Sequence, residues 1–202
     1  MCIRDRKRIV DQVFKHKLFE VIEIKDSPLS KKVEDELILK IGEQIDSCDI
    51  SLVADFGHGV LTNRVIQELQ SKSKYLAVNA QTNSANLGYN LLTKYDSCDY
   101  FSIDKGEAHL AVHDKFGDIS QIQSELNSVT KAKISSVTLG VNGTSVMTSD
   151  GQNTTAPIFN SDVVDTIGAG DAYLSITSLL AESNASKEEI AFVGNAVGAM
   201  AV

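Results

Sequence analysis

Short apolar runs rich in β-branched residues alternate with helical patterns along most of this chain, and that alternation limits the folds open to it more than any other feature. Ile50–Phe56 (ISLVADF) reads as a buried strand, and Tyr75–Val78, Tyr100–Ile103 and Ser136–Leu139 read as further strands. Helical patterns fall between them: Asn63–Leu69, a stretch around Asn90–Lys94, Gly106–His113, and Ile119–Val129 by the spacing of Ile119, Ile122, Leu126 and Val129. Upstream, Val33, Leu37, Ile41 and Ile45 form one apolar helical face leading into the first of these strands. Thr144–Thr148 and Thr154–Phe159 suggest a hairpin across Ser149-Asp150-Gly151. Two helices close the chain: Ala172–Ala181, with Leu174, Ser178 and Ala181 on one face, and a last one opened by the capping box Ser186-Lys187-Glu188-Glu189. Strands separated by helices predict βαβ units and a largely parallel sheet, with ligands outside the carboxyl ends of its strands. Asp55, Asn79, Asp104, Gly140 and Asp171 each fall just after a strand or at a helix start, which places them on that edge.

Asp165-Thr166-Ile167-Gly168-Ala169-Gly170-Asp171 concentrates the chemistry. A Gly-Ala-Gly turn at the mouth of a helix leaves backbone N–H groups that no side chain screens, and the helix dipole adds its positive end. An Asp there repels a bound phosphate, so binding alone does not explain it. It makes sense if Asp171 handles a proton while the amides hold developing negative charge. An Asp in a first helical turn is also an ordinary dipole partner, and spacing alone leaves cap and catalyst both open.

Composition excludes several classes. The chain has 202 residues, 43% hydrophobic and 23% charged, the balance of one globular domain or most of one. No apolar run approaches a membrane span, and the charged N-terminus lacks a signal-peptide core. A net charge of −8 argues against nucleic acid as partner. Cys2, Cys48 and Cys98 suit neither a disulfide framework nor a zinc site and read as free thiols, with a cytoplasmic location expected. There is no G-x-x-x-x-G-K-[ST] phosphate loop, and no G-x-G-x-x-G supports a dinucleotide-dependent oxidoreductase. Residues 1–7, with the basic cluster Arg4, Arg6, Lys7 and Arg8 at their end, carry no pattern into the rest and are set outside the expected fold.

The DTIGAGD run resembles the DTxGAGD signature of the ribokinase/PfkB-type carbohydrate kinases. The resemblance extends over Arg8–Val202 and looks closest to the kinase half of bifunctional heptose 7-phosphate kinase/heptose 1-phosphate adenylyltransferase proteins. It implies an α/β fold of ribokinase-like, three-layer α/β/α form with a largely parallel sheet. This chain would be its C-terminal part, without the N-terminal strands, much of the sugar pocket and the small β-lid. It further implies ATP-dependent phosphoryl transfer to a sugar or sugar phosphate, with Asp171 as general base and Gly168, Ala169 and Gly170 as the anion hole. Asp165 and Thr166 would shape that hole, Asp165 with a bearing on a monovalent-cation site.

Thr138-Leu139-Gly140-Val141-Asn142-Gly143 is similar to the family's TxGxxG stretch, which implies Thr138, Gly140 and Gly143 at the nucleotide; by itself it reads as a hairpin turn. Asp104-Lys105-Gly106-Glu107 takes the place of the family's N-x-x-E, implying Mg2+ organised through water by Glu107, with Asp104 replacing the usual Asn. Asn195 corresponds to a residue near the adenine, on a small-residue helix that otherwise reads as close packing. Asp55 and His58, in Ala54-Asp55-Phe56-Gly57-His58-Gly59, resemble the heptose kinases' SDYxKG, and Asn79 and Gln81 sit where those kinases have V-D-P-K. His58 and Gln81 each replace a lysine, which implies altered acceptor recognition. Those losses and the missing lid motivate a second expectation, a non-catalytic nucleotide- or sugar-phosphate-binding module or an inactive fragment. A second copy of the chain and a fused nucleotidyltransferase domain are the expected macromolecular partners.

Overall fold

The computed structural model describes residues 3–11, 17–24, 27–82, 86–159 and 168–201. Four parallel strands, β3 (Ser51–Asp55), β4 (Leu76–Ala80), β5 (Tyr100–Asp104) and β6 (Ile134–Thr138), lie side by side in chain order. Each is preceded by helical structure, the usual crossover between parallel neighbours. The helices before and between them are α1 (Lys31–Ile45), α2 (Asn63–Lys72), α3 (Lys105–Ala111) and α4 (Ile119–Thr130). The sheet then turns antiparallel through β7 (Thr144–Thr148) and β8 (Asn153–Ala156), whose hairpin crosses Gly151 at φ +82°. Helices α5 (Ala169–Glu182) and α6 (Lys187–Ala201) complete the chain.

Strand parity sorts the side chains into two cores. Val53, Val78, Ala80, Phe101, Ile103 and Val137 pack with α1–α4 on one face. Ala77, Tyr100, Ile134 and Val146 face the other way, onto Leu174 and Ala181 of α5 and Ile190 and Ala191 of α6. The result is the expected three-layer α/β/α order with a mostly parallel sheet. The face Leu174, Ser178 and Ala181 is buried as the spacing predicts. Gly194 lets α6 close onto α5, since a Cβ there would stand 2.4 Å from the Tyr173 ring.

The structure corrects the expectation in four places. Ile3–Lys7, set outside the fold, belong to β1 (Ile3–Val10), which pairs antiparallel with β2 (Lys17–Ile24) in a separate two-stranded sheet. The stretch around Asn90–Lys94 is helical only as a single 3-10 turn, Leu92–Lys94. On α1, Val33 is exposed and Glu34 is buried instead, because Glu34 meets Thr62 and Arg64 at the start of α2. On α4, Val129 is exposed while Thr130 is buried, its hydroxyl donating to Leu126 O at 2.7 Å.

Candidate active site

The parallel register aligns the strand ends. Asp55 pairs with Ala80 across β3 and β4, and Asp104 pairs with Thr138 across β5 and β6. The residues that follow, Phe56–His58, Gln81–Thr82, Lys105–Glu107 and Leu139–Gly143, therefore share the carboxyl edge of the sheet, where doubly wound folds bind ligands.

Helix α5 begins beside this edge. Gly168 is its N-cap in the left-handed region (φ +87°, ψ −7°), a conformation glycine adopts without strain. Among the described residues no side chain caps the first-turn N–H groups, and these have no partner within a helix. Among the described residues, nothing stands within 4 Å of where a Cβ would project from Gly168 or Gly170. An open, uncapped helix start of this kind suits the oxygens of a phosphate. The helix is anchored to the sheet by buried hydroxyls: Tyr100 Oη lies 2.8 Å from Thr177 Oγ1, and Tyr173 Oη lies 3.0 Å from Thr144 Oγ1.

Two adjacent residues at the end of β4 tie the motifs together. Gln81 Nε2 donates to Asp171 Oδ1 at 2.7 Å, and Thr82 N donates to Glu107 Oε1 at 2.8 Å. Asp104 and Glu107 form a reciprocal capping box on α3: Glu107 N donates to Asp104 Oδ1 (2.8 Å), and Asp104 N donates to Glu107 Oε2 (2.9 Å). Burial, with the charge of Asp104 added, pushes the Glu107 carboxyl up to about 7 against the lowering effect of its two backbone donors.

On the β3 side, Asp55 is 3% exposed and fully engaged within the protein. It accepts from Gly57 N (3.0 Å) and Tyr95 Oη (2.8 Å) and pairs with Lys94. Asn79 is buried, with Nδ2 donating to Ser102 O at 2.6 Å and its Oδ1 unpartnered among the described residues. His58 is buried and lines, with Asp55, Leu52 and Leu61, a cavity of about 330 Å³ along β3.

The remaining candidates divide. Thr138 ends β6 between Asp104 and Thr144. Gly140 (φ +59°) has open space around it. Gly143 (φ +85°) is a turn residue of necessity, because a Cβ there would meet Ala156 O at 1.9 Å. Asn195 spends Nδ2 on Ala156 O (2.8 Å) and Pro157 O (3.0 Å), holding the end of β8 to α6; neither bond reaches the other candidates. Asp165 and Thr166 lie outside the described residues.

Asn90, Lys94 and Tyr95 joined none of the expected site residues, yet they brace it. Asn90 Nδ2 donates to Asp55 O (2.9 Å) and Gln81 O (3.0 Å), while its Oδ1 accepts from Lys94 Nζ (2.6 Å). Their only sequence signal is the four-residue spacing of Asn90 and Lys94 on a short turn, which is too common to single them out.

The donor set at this edge fits a nucleotide phosphate with Mg2+. Among the described residues the first-turn amides of α5 have no side-chain partner, and hard carboxylate oxygens stand at Asp104 and Glu107. Among the described residues no group of three or more His, Cys, Asp or Glu side chains could cage an ion. An ion here would keep most of its waters, which is the habit of Mg2+.

An α/β layer sandwich with an open helix start at the carboxyl edge of its sheet belongs to the class of sites suited to phosphate oxygens. The family model described as pfkB family carbohydrate kinase matches residues 5–202, and this chain belongs to that family. It is 26% identical over 179 residues to the "Bifunctional protein HldE" of Wolinella succinogenes and 28% identical over 182 residues to that of Rhodopseudomonas palustris strain BisB18. Both alignments cover 87% of this chain, but only 37% and 36% of those proteins, so the chain spans little more than a third of their length. Among solved structures, phosphofructokinase-2 from Escherichia coli shares the fold. Its complex with fructose-6-phosphate aligns at TM-score 0.74 and 18% identity, covering 98% of this chain and 64% of that one. Its complex with potassium aligns at TM-score 0.78 and 17% identity, covering 98% and 63%.

Proposed function

We propose that this chain carries the phosphoryl-transfer centre of an ATP-dependent kinase acting on a hydroxyl of a sugar or sugar phosphate, of heptose-phosphate-like class. The observation that carries the reading is the Gln81-Thr82 pair. It ties the Asp171 carboxylate to the edge that bears Glu107, although Gln81 and Asp171 lie 90 residues apart in sequence. Family membership supports a carbohydrate acceptor, and the resemblance of Ala54–Gly59 to the heptose kinases' SDYxKG segment is what points to a heptose phosphate.

ATP supplies the phosphoryl group when bound, and Mg2+ screens its charge. Asp171 accepts the proton of the attacking hydroxyl, and the amides of Gly168, Ala169, Gly170 and Asp171 donate to the oxygens that gain negative charge. Glu107 would hold Mg2+ through water, and Asp104 caps the helix that presents it. Thr138, Gly140 and Gly143 line the nucleotide side, with Asn195 bracing it from α6. Asp165 and Thr166 precede the glycine turn in sequence and, by the family resemblance, would shape the anion hole, Asp165 with a bearing on a monovalent-cation site. The acceptor lies toward Asn79, His58 and Asp55, and Gln81 acts on it only through Asp171, on which its amide nitrogen is spent. Here Asp55 acts by fixing the loop, since its own oxygens are taken.

The test is ADP formation with no acceptor, with free hexoses, with hexose phosphates and with a heptose phosphate. ADP formed only with an acceptor, and fastest with a heptose phosphate, supports the reading. Nucleotide binding with no acceptor-dependent ADP leaves a binding module instead.

A further inference from the structure

We infer that Gln81 is the positioning residue of Asp171, a clamp that fixes which carboxylate oxygen faces the acceptor; this deepens the reading of Asp171 as the base and rests on it. Asp171 is exposed on the first turn of α5, where its carboxylate would otherwise swing between rotamers. Gln81 Nε2 holds Oδ1 at 2.7 Å, and among the described residues no other hydrogen bond reaches that carboxylate. With Oδ1 occupied by a donor, Oδ2 is the oxygen left to take a proton.

The clamp is itself braced on its main chain. Gln81 N donates to Asp55 O at 2.8 Å, and Gln81 O accepts from Asn90 Nδ2 at 3.0 Å. Asn90 is in turn locked between Asp55 O and Lys94, and Lys94 pairs with the buried Asp55. The buried polar cluster that Asp55 organises therefore has an output at the reacting edge: it aims one amide at the base.

Two measurements test the clamp. In 15N–1H spectra of the ligand-free protein, one Gln81 side-chain amide proton is expected downfield and slowly exchanging, and Asp171→Ala is expected to abolish both properties. In steady-state kinetics, Gln81→Leu keeps the side-chain bulk and removes the donor. It is expected to lower kcat about 10- to 100-fold while the KM values for ATP and acceptor stay within about 2-fold. Gln81→Lys, which restores a donor, is expected to recover most of the loss.

An amide resonance indifferent to Asp171→Ala overturns the clamp. So does a Gln81→Leu variant that raises acceptor KM with kcat intact, or Leu and Lys variants that lose kcat equally. If the amide responds to Asp171→Ala but the wild-type protein turns over no acceptor, the kinase reading fails and the clamp stands.

Discussion

At the start of α3, Glu107 accepts a backbone N–H on each oxygen, from Thr82 and from Asp104, and is still held protonated to about pH 7 by burial and the neighbouring Asp104 charge. A carboxyl that keeps its proton longer when folded than when unfolded stabilises the fold fully below its ordinary value of 4.5. That contribution is lost as the pH rises through about 7. The metal-free protein should therefore lose unfolding free energy between these pH values relative to Glu107→Gln, whose residue 107 does not titrate. Urea unfolding of both proteins at several pH values checks this; parallel pH dependences would contradict it. The Asp104/Glu107 pair was legible in the sequence because a capping box is a three-residue relation. The Thr82 contact was not, since nothing local announces which distant backbone will meet a half-buried carboxylate.

Helix α5 is the element on which the site depends, and its two ends are built differently. Tyr100, Thr177, Tyr173 and Thr144 pin its body to the sheet through buried hydroxyls, and α6 closes over it at Gly194. Its first turn, by contrast, is glycine-rich and, among the described residues, uncapped and open. Replacing a helical glycine by alanine in open space stabilises by about 0.5–1 kcal/mol. Gly170→Ala should therefore raise the unfolding midpoint slightly while lowering acceptor-dependent turnover, because the added methyl enters the space assigned to the phosphate. A variant that gains stability and keeps full turnover would place the phosphate elsewhere. The helix and its motif were readable from the glycines and the apolar face. The partner of Asp171 was not, because a contact spanning 90 residues depends on how the strands order themselves.

For the whole molecule, alternation of strand and helix patterns predicted a largely parallel sheet and its shared carboxyl edge, while the order β3-β4-β5-β6 is seen only in the structure. The antiparallel β1–β2 sheet escaped notice because the charged run Arg4–Arg8 hides any alternation, and an isolated hairpin is defined by its partner strand more than by its own residues. The expected site residues fall into two groups by what the fold does with them. Gln81, Asp104, Glu107, Thr138 and Asp171 meet at one edge, whereas Asp55 and Asn195 are spent on internal bonds. Composition gave no warning of that split, because a buried ion pair such as Asp55–Lys94 is invisible until the loops are folded.

The central claim is that Asp171 removes the acceptor proton, and the Asp171→Asn protein tests it most directly. Asn keeps the shape and can still accept the Gln81 hydrogen bond, but it cannot take a proton. Acceptor-dependent ADP formation should fall roughly 10²- to 10⁴-fold with ATP affinity within about 2-fold of wild type. Undiminished turnover in Asp171→Asn would contradict the account.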